Sequence, residues 1–82
     1  MANKIDIYQY SSATDVQTVT LSNCSSTNVN DYMVIVKMDP DGAGANDTQI
    51  FKPAGVSGST MTLNSTAPVE KCLMIMVVEQ GN

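Results

Sequence analysis

Lys71-Cys72-Leu73-Met74-Ile75-Met76-Val77-Val78-Glu79 is the stretch whose reading decides the fold. Its apolar run is too short to span a bilayer, and its β-branched residues favour a strand over a helix. Read with a period of two, Leu73, Ile75 and Val77 share one face, and Cys72, Met74, Met76 and Val78 share the other. Both faces are apolar. A strand of a small antiparallel domain ordinarily buries only one face. The second face therefore needs cover, from this chain or from a partner. Glu70, Lys71 and Glu79 flank the segment as charged gatekeepers against self-pairing.

A second stretch repeats the pattern. Asp31–Met38 places Tyr32, Val34, Val36 and Met38 on one face and Met33 and Ile35 on the other, with Asp31 and Lys37 at that face's ends. Elsewhere the chain shows short alternating runs broken by turn residues. Lys4–Tyr8 sets Ile5 and Ile7 against Lys4, Asp6 and Tyr8. Ser11, Ser12 and Thr14 read as a polar connector. Val16–Asn23 points Val19 and Leu21 inward and Thr18 and Thr20 outward, and the polar stretch Ser25–Asn30 ends it. Asp39-Pro40-Asp41-Gly42 is a turn signal. Thr48–Lys52 carries Ile50 and Phe51 up to Pro53. Gly55 and Gly58 flank a break, and Ser59–Leu63 turns Met61 and Leu63 inward. Asn64–Pro68 leads into the final strand, Glu70–Glu79. No segment has a helical period, and there is no repeat or linker. The expectation is an all-β antiparallel domain, a sandwich or barrel of about six to eight strands, formed by residues 1–82 as one domain.

The chain has 82 residues, and a domain of that size buries only roughly 60% of its unfolded surface. Two cysteines are too few for a disulfide scaffold, so association is the expected support. Cys24 and Cys72 lie near the second and last strands, where an immunoglobulin bridge would fall. The Trp of that signature is missing, and the second strand's alternation turns Cys24 away from Val19 and Leu21, so two reduced thiols are expected.

Composition narrows the function classes. The chain has no His, no Arg and no Trp, with four Lys against eight acids. Without His the commonest general base and zinc ligand are absent, and no Ser-Lys or Cys-centred nucleophile motif is visible. The reading is that the chain is not an enzyme and carries no cofactor. A net charge of −4 speaks against nucleic-acid binding. The N-terminus has no apolar core of a signal peptide, and no run is long enough for a membrane helix, so synthesis in a cytoplasm is expected. The three Asn-x-Ser/Thr matches, at Asn23, Asn46 and Asn64, are chance in a chain more than a quarter Ser, Thr and Asn.

Asp39, Asp41, Asn46 and Asp47 fall in one loop with Gly42 and could offer oxygen ligands to Ca²⁺, although the spacing is not that of an EF-hand. Turn formation explains the same residues, so no metal site is assigned. The methionines are more telling. Met61 reads as core, whereas Met33, Met74 and Met76 lie on the second faces of the two doubly apolar strands, and methionine repacks readily against a partner. Met33, Ile35, Cys72, Met74, Met76 and Val78 are therefore the candidate partner or oligomer interface. Cover by a loop or by the N-terminal segment is the competing reading.

Three stretches carry a family resemblance. They are Thr18–Thr27, a strand followed by an Asn-Ser/Thr turn; Asp31–Gly42, a hydrophobic strand with its Asp-Gly turn; and Gly58–Leu63 with Ala67–Val78, a closing hairpin. Together they resemble small phage structural proteins with an immunoglobulin-like or jelly-roll-like sandwich, the capsid decoration (cement) proteins and related head–tail modules. The resemblance implies a virion protein on the capsid surface, made in the host cytoplasm, that binds and stabilises the major capsid lattice. It implies no catalytic residue. Symmetric homo-oligomers are common, so a dimer or trimer is expected. A minor tail or neck component is the nearest variant. A free intracellular protein- or glycan-binding module is the rival, with its ligand on the Asp39–Asp47 loop or on Tyr8, Tyr10 and Tyr32.

Overall fold

A computed structural model describes residues 3–39 and 48–81. It bears out the all-β reading. Among the described residues seven strands form two antiparallel sheets: β1 (Lys4–Val16), β2 (Thr18–Thr20), β3 (Tyr32–Met38), β4 (Thr48–Phe51), β5 (Gly55–Ser57), β6 (Thr60–Thr62) and β7 (Val69–Glu79). The four-stranded sheet runs β1-β7-β3-β4 and the three-stranded sheet β2-β6-β5. The described residues include no α-helix, only a 3₁₀ turn at Val29–Asp31.

The two doubly apolar strands are neighbours. β7 pairs with β3 from Tyr32 opposite Glu79 to Val36 opposite Ile75, and with β1 on its other side. Inward side chains of both sheets form one core of Val16, Val19, Leu21, Cys24, Tyr32, Val34, Val36, Met61, Leu63, Cys72, Ile75 and Val77. Val34, Val36, Met61, Cys72, Ile75 and Val77 have no exposed surface at all. Burying each large aliphatic of this group contributes about 1.5–3 kcal/mol.

Two of the chain's four passages between the sheets form adjoining corners. Gln17 separates β1 from β2, and Leu63–Pro68 separates β6 from β7. The Leu63 amide donates to the Gln17 carbonyl at 2.7 Å, and Gln17 Nε2 donates to the Asn64 carbonyl at 3.2 Å. Asn64 Oδ1 accepts from the Thr66 amide at 2.9 Å and rounds off the second corner. β5 and β6 close as a two-residue hairpin over Gly58-Ser59. Gly58 has φ +60, the left-handed value a II′ turn needs at its first central position.

Several boundaries differ from the sequence reading. β1 continues through the expected polar connector, Ser11 to Thr14, to Val16. Val16 consequently belongs to β1, opposite Val69, and not to the second strand. β5 was not expected; three residues with one apolar side chain give too little alternation to read. The final strand carries a bulge. Lys37 is opposite Met74 and Met38 is opposite Cys72, so Leu73 has no counterpart on β3. The extra residue switches the alternation, which puts Cys72 on the same side as Ile75 and Val77 and leaves Leu73 half-buried. Lys71 just before it has φ +54, a left-handed conformation that costs a side-chain-bearing residue about 1–2 kcal/mol. The Lys71 amide donates to Asp15 Oδ1 at 3.2 Å and its carbonyl accepts from the Asp39 amide at 2.8 Å, which hold the kink.

Candidate functional site

The outer face of the four-stranded sheet is the candidate site. Its first row across the strands is Ile5, Val78 and Met33; its second is Ile7, Met76, Ile35 and Ile50; its third is Gln9, Met74, Lys37 and Thr48. The first two rows hold only apolar side chains. Ile5 is 44% exposed, Ile7 61%, Met33 43% and Ile50 64%, so no described residue covers them. Val78, Met76, Met74 and Ile35 in the middle strands are half-buried by these flanking neighbours. With strands about 4.8 Å apart and same-face residues about 6.8 Å apart, the apolar part spans about 230 Å².

Five of the six residues proposed for an interface share this face: Met33, Ile35, Met74, Met76 and Val78. Cys72 does not. The bulge at Leu73 turns it into the core, where it is wholly buried. Sequence reasoning missed Ile5, Ile7 and Ile50. Their alternation was visible, but membership of this face depends on the register of β1 and β4 against β7 and β3. The described part of the N-terminal segment does not lie over the face; from Lys4 it enters the sheet as β1 and enlarges it.

The inner side of β1 is polar, and its carboxylate builds the adjoining loop. Asp6 is 5% exposed. Its Oδ2 accepts from the amides of Ser22 (3.1 Å), Asn23 (3.1 Å) and Cys24 (3.0 Å), and Oδ1 accepts from Asn23 at 2.9 Å. Burial works to raise the Asp6 pKa, but the Cys24, Asn23 and Ser22 amides outweigh it and hold the group below its ordinary value. Glu79 does the same for the next two residues. Its Oε1 accepts from the Ser25 amide (2.8 Å), the Ser26 amide (2.7 Å) and the Tyr32 hydroxyl (3.1 Å). The Ser26 and Ser25 amides lower its pKa. Glu79 is thus a buried acceptor and not the solvated gatekeeper that its sequence position suggested; Lys4 Nζ lies 3.9 Å from its other oxygen. These two acids shape residues 22–26 without regular structure.

That loop also carries Cys24 into the core, contrary to the strand alternation, because β2 ends at Thr20. Cys24 and Cys72 are both free thiols. Burial, followed by the Asp6 carboxylate beside it, pushes Cys24 up to about 12, and burial raises Cys72.

The rival ligand sites fare differently. Tyr32 is buried, Tyr8 and Tyr10 pack against the core, and the Tyr8 hydroxyl donates to the Thr20 carbonyl at 2.6 Å, so none of the three is an open stacking platform. Burial, with Asp6 nearby, pushes Tyr8 up to about 12. Asp39 is exposed, while Asp41, Asn46 and Asp47 of the suggested Ca²⁺ loop lie outside the described residues. Among the described residues no three His, Cys, Asp or Glu side chains gather as metal ligands. An open groove of about 400 Å³ lies beside β4, lined by Gln49, Phe51, Lys52, Leu63, Asn64 and Val69 among others.

Comparison with known proteins gave no match to a family model, a curated protein or a solved structure.

Proposed function

We propose that this chain is a non-enzymatic structural protein of a virion, a capsid decoration protein whose four-stranded sheet packs its outer face onto the major capsid lattice. The observation that carries the reading is the apolar double row Ile5–Val78–Met33 and Ile7–Met76–Ile35–Ile50, covered by no described residue of a small acidic domain. At about 230 Å² the patch is modest for a single copy, and it is its continuity across all four strands that points to a contact. The sequence resemblance to phage decoration and head–tail modules supplies the virion context. On a shell many copies engage together, so a modest contact per copy gives strong stabilisation of the whole.

The test is quantitative mass spectrometry of purified particles from the source, counting this chain against the major capsid protein. A ratio near one to one, or a simple fraction of it, is the expected result. A few copies per particle would move the protein to the tail or neck. Absence from particles would overturn the virion reading and favour a free intracellular binding module.

A further inference from the structure

The two edges of the four-stranded sheet end differently. At the β1 edge the register slips, since Gln9 is opposite Met74 and Thr14 is opposite Cys72. The Ile5 carbonyl there accepts from Asn23 Nδ2 at 3.1 Å, and the Asp6 carboxylate holds the adjoining loop. That edge is bent and partly covered. Among the described residues nothing covers or bends the β4 edge. Its four residues, Thr48-Gln49-Ile50-Phe51, run in unbroken register with β3 and contain no charge and no proline. Exposed edges are ordinarily blunted by lysine, proline or a bulge, because their outward N–H and C=O groups invite another strand. Here Lys52 and Pro53 come only after the strand has ended. The edges of the other sheet, β2 and β5, are three residues each, too short to template much pairing.

We propose that β4 pairs antiparallel with β4 of a second copy across a two-fold axis at Ile50, joining two four-stranded sheets into one of eight strands. A second copy brings the same uncharged four-residue strand to the pairing, in a register that is complementary to itself. Residues directly opposite in an antiparallel pair project from the same side of the sheet, so outward Ile50 needs an outward partner. Centred on Ile50, the register sets Ile50 on Ile50, Gln49 on Phe51 of the second copy, and Thr48 on its Lys52. Each pair matches in side, and no like charges meet. Centring on Gln49 would leave Phe51 with no partner in the strand. The isologous pairing also has a consequence for the apolar face. The row Ile7–Met76–Ile35–Ile50 continues into the second copy's Ile50–Ile35–Met76–Ile7, and the patch grows to about 460 Å². That is over half of the roughly 800 Å² per side of a standard-size interface, against under a third for one copy alone. The pairing itself involves only β4 and is independent of what the face meets.

Sedimentation of the purified full chain over a concentration series tests the two-fold directly. Wild type is expected to show a reversible monomer–dimer equilibrium. Ile50→Asp sets two carboxylates opposite each other and should raise the dimer Kd by at least about tenfold. Because Ile50 is 64% exposed, its circular dichroism spectrum should stay that of wild type. Ile50→Cys should cross-link into a dimer under mild oxidant, since directly opposed residues lie within disulfide reach, whereas Ile7→Cys at the far edge should not. The buried native thiols do not compete. A chain that stays monomeric at every concentration, or a dimer that ignores Ile50→Asp while Ile50→Cys cross-links no faster than Ile7→Cys, would overturn the pairing. Neither result bears on the particle count.

Discussion

Asp6→Asn is the sharpest probe of how this fold is held. The change is nearly isosteric, so packing is preserved and only the acceptor is altered. In the wild type, Oδ2 serves the amides of Ser22, Asn23 and Cys24, and Oδ1 serves Asn23 again. An asparagine can keep its carbonyl oxygen at the Oδ2 position. Its NH₂ then stands where Oδ1 was, donor against the Asn23 donor, and the charge that strengthens the other bonds is gone. Hydrogen bonds to a charged group are worth about 1.5–3 kcal/mol each and neutral ones about 1 kcal/mol. Losing one bond and weakening the three on Oδ2 gives a cost of about 3 kcal/mol. For a domain of this size that is a fall in Tm of about 12–24 °C. Urea unfolding followed by far-UV circular dichroism measures it at pH 7. The pH dependence adds a second reading. The Asp6 pKa is depressed in the folded state, so its contribution is present above the unfolded value and is lost as pH falls through the folded one. The gap between wild type and variant should therefore be constant at neutral pH and begin to close below about pH 4. A variant within 0.5 kcal/mol (roughly the scatter of a neutral surface change) of wild type at pH 7 would refute the carboxylate's role in building the loop.

Glu79→Gln should cost less, about 1 kcal/mol, because a single oxygen, Oε1, accepts all three of its short bonds and the amide can reproduce it; the same urea titration compares the two. Met76→Lys should stay folded within about 1 kcal/mol, as a surface change does, yet lose occupancy on particles. Ile75→Ala, one residue away and wholly buried, should cost about 2–5 kcal/mol. Melting both variants and assaying particle binding separates the two faces of β7, and a Met76→Lys chain that unfolds would invert their assignment. Cys24, pushed up to about 12, stays a thiol in the folded protein, whereas an unfolded thiol ionises near 9. Stability should therefore decline as pH climbs above about 9, and at pH 8 both thiols should react with a disulfide reagent only at the rate of unfolding.

The pair at the centre of the fold was legible because alternation is a local property. Tyr32, Val34 and Val36 on β3, and Ile75 and Val77 on β7, face the core as their spacing requires. That both strands are apolar on the second side was also plain, and the structure sets them side by side. What escaped depends on events outside the local window. One inserted residue at Leu73 carries Cys72 across the sheet, and nothing in the run of apolar letters marks it. Asp6 and Glu79 are charged, and a charged letter reads as solvent; only the backbone amides of residues 22–26, far along the chain, make burial tolerable. β1 runs on through Ser11, Ser12 and Thr14 because β1 hands over at Gln17 to the second sheet, a tertiary requirement without a hydrophobic signature. Ile5, Ile7 and Ile50 joined the candidate face for the same reason: register is set between strands, not within them.

The order β1-β7-β3-β4 has a consequence for how the protein comes to be made. β7 is the last strand in the chain and yet sits between β1 and β3. While the ribosome is still translating residues 1–68, β1 has no mate in its sheet, β3 has only β4, and the larger sheet has no centre. The nascent chain must wait for its most apolar segment to emerge before β1 can be joined to β3. Closing those distant pairings is slow compared with local contacts. During that interval the strand most apt to aggregate is also the newest to appear, so yield at high expression should depend on temperature and on chaperone supply more than the modest size of the domain would suggest.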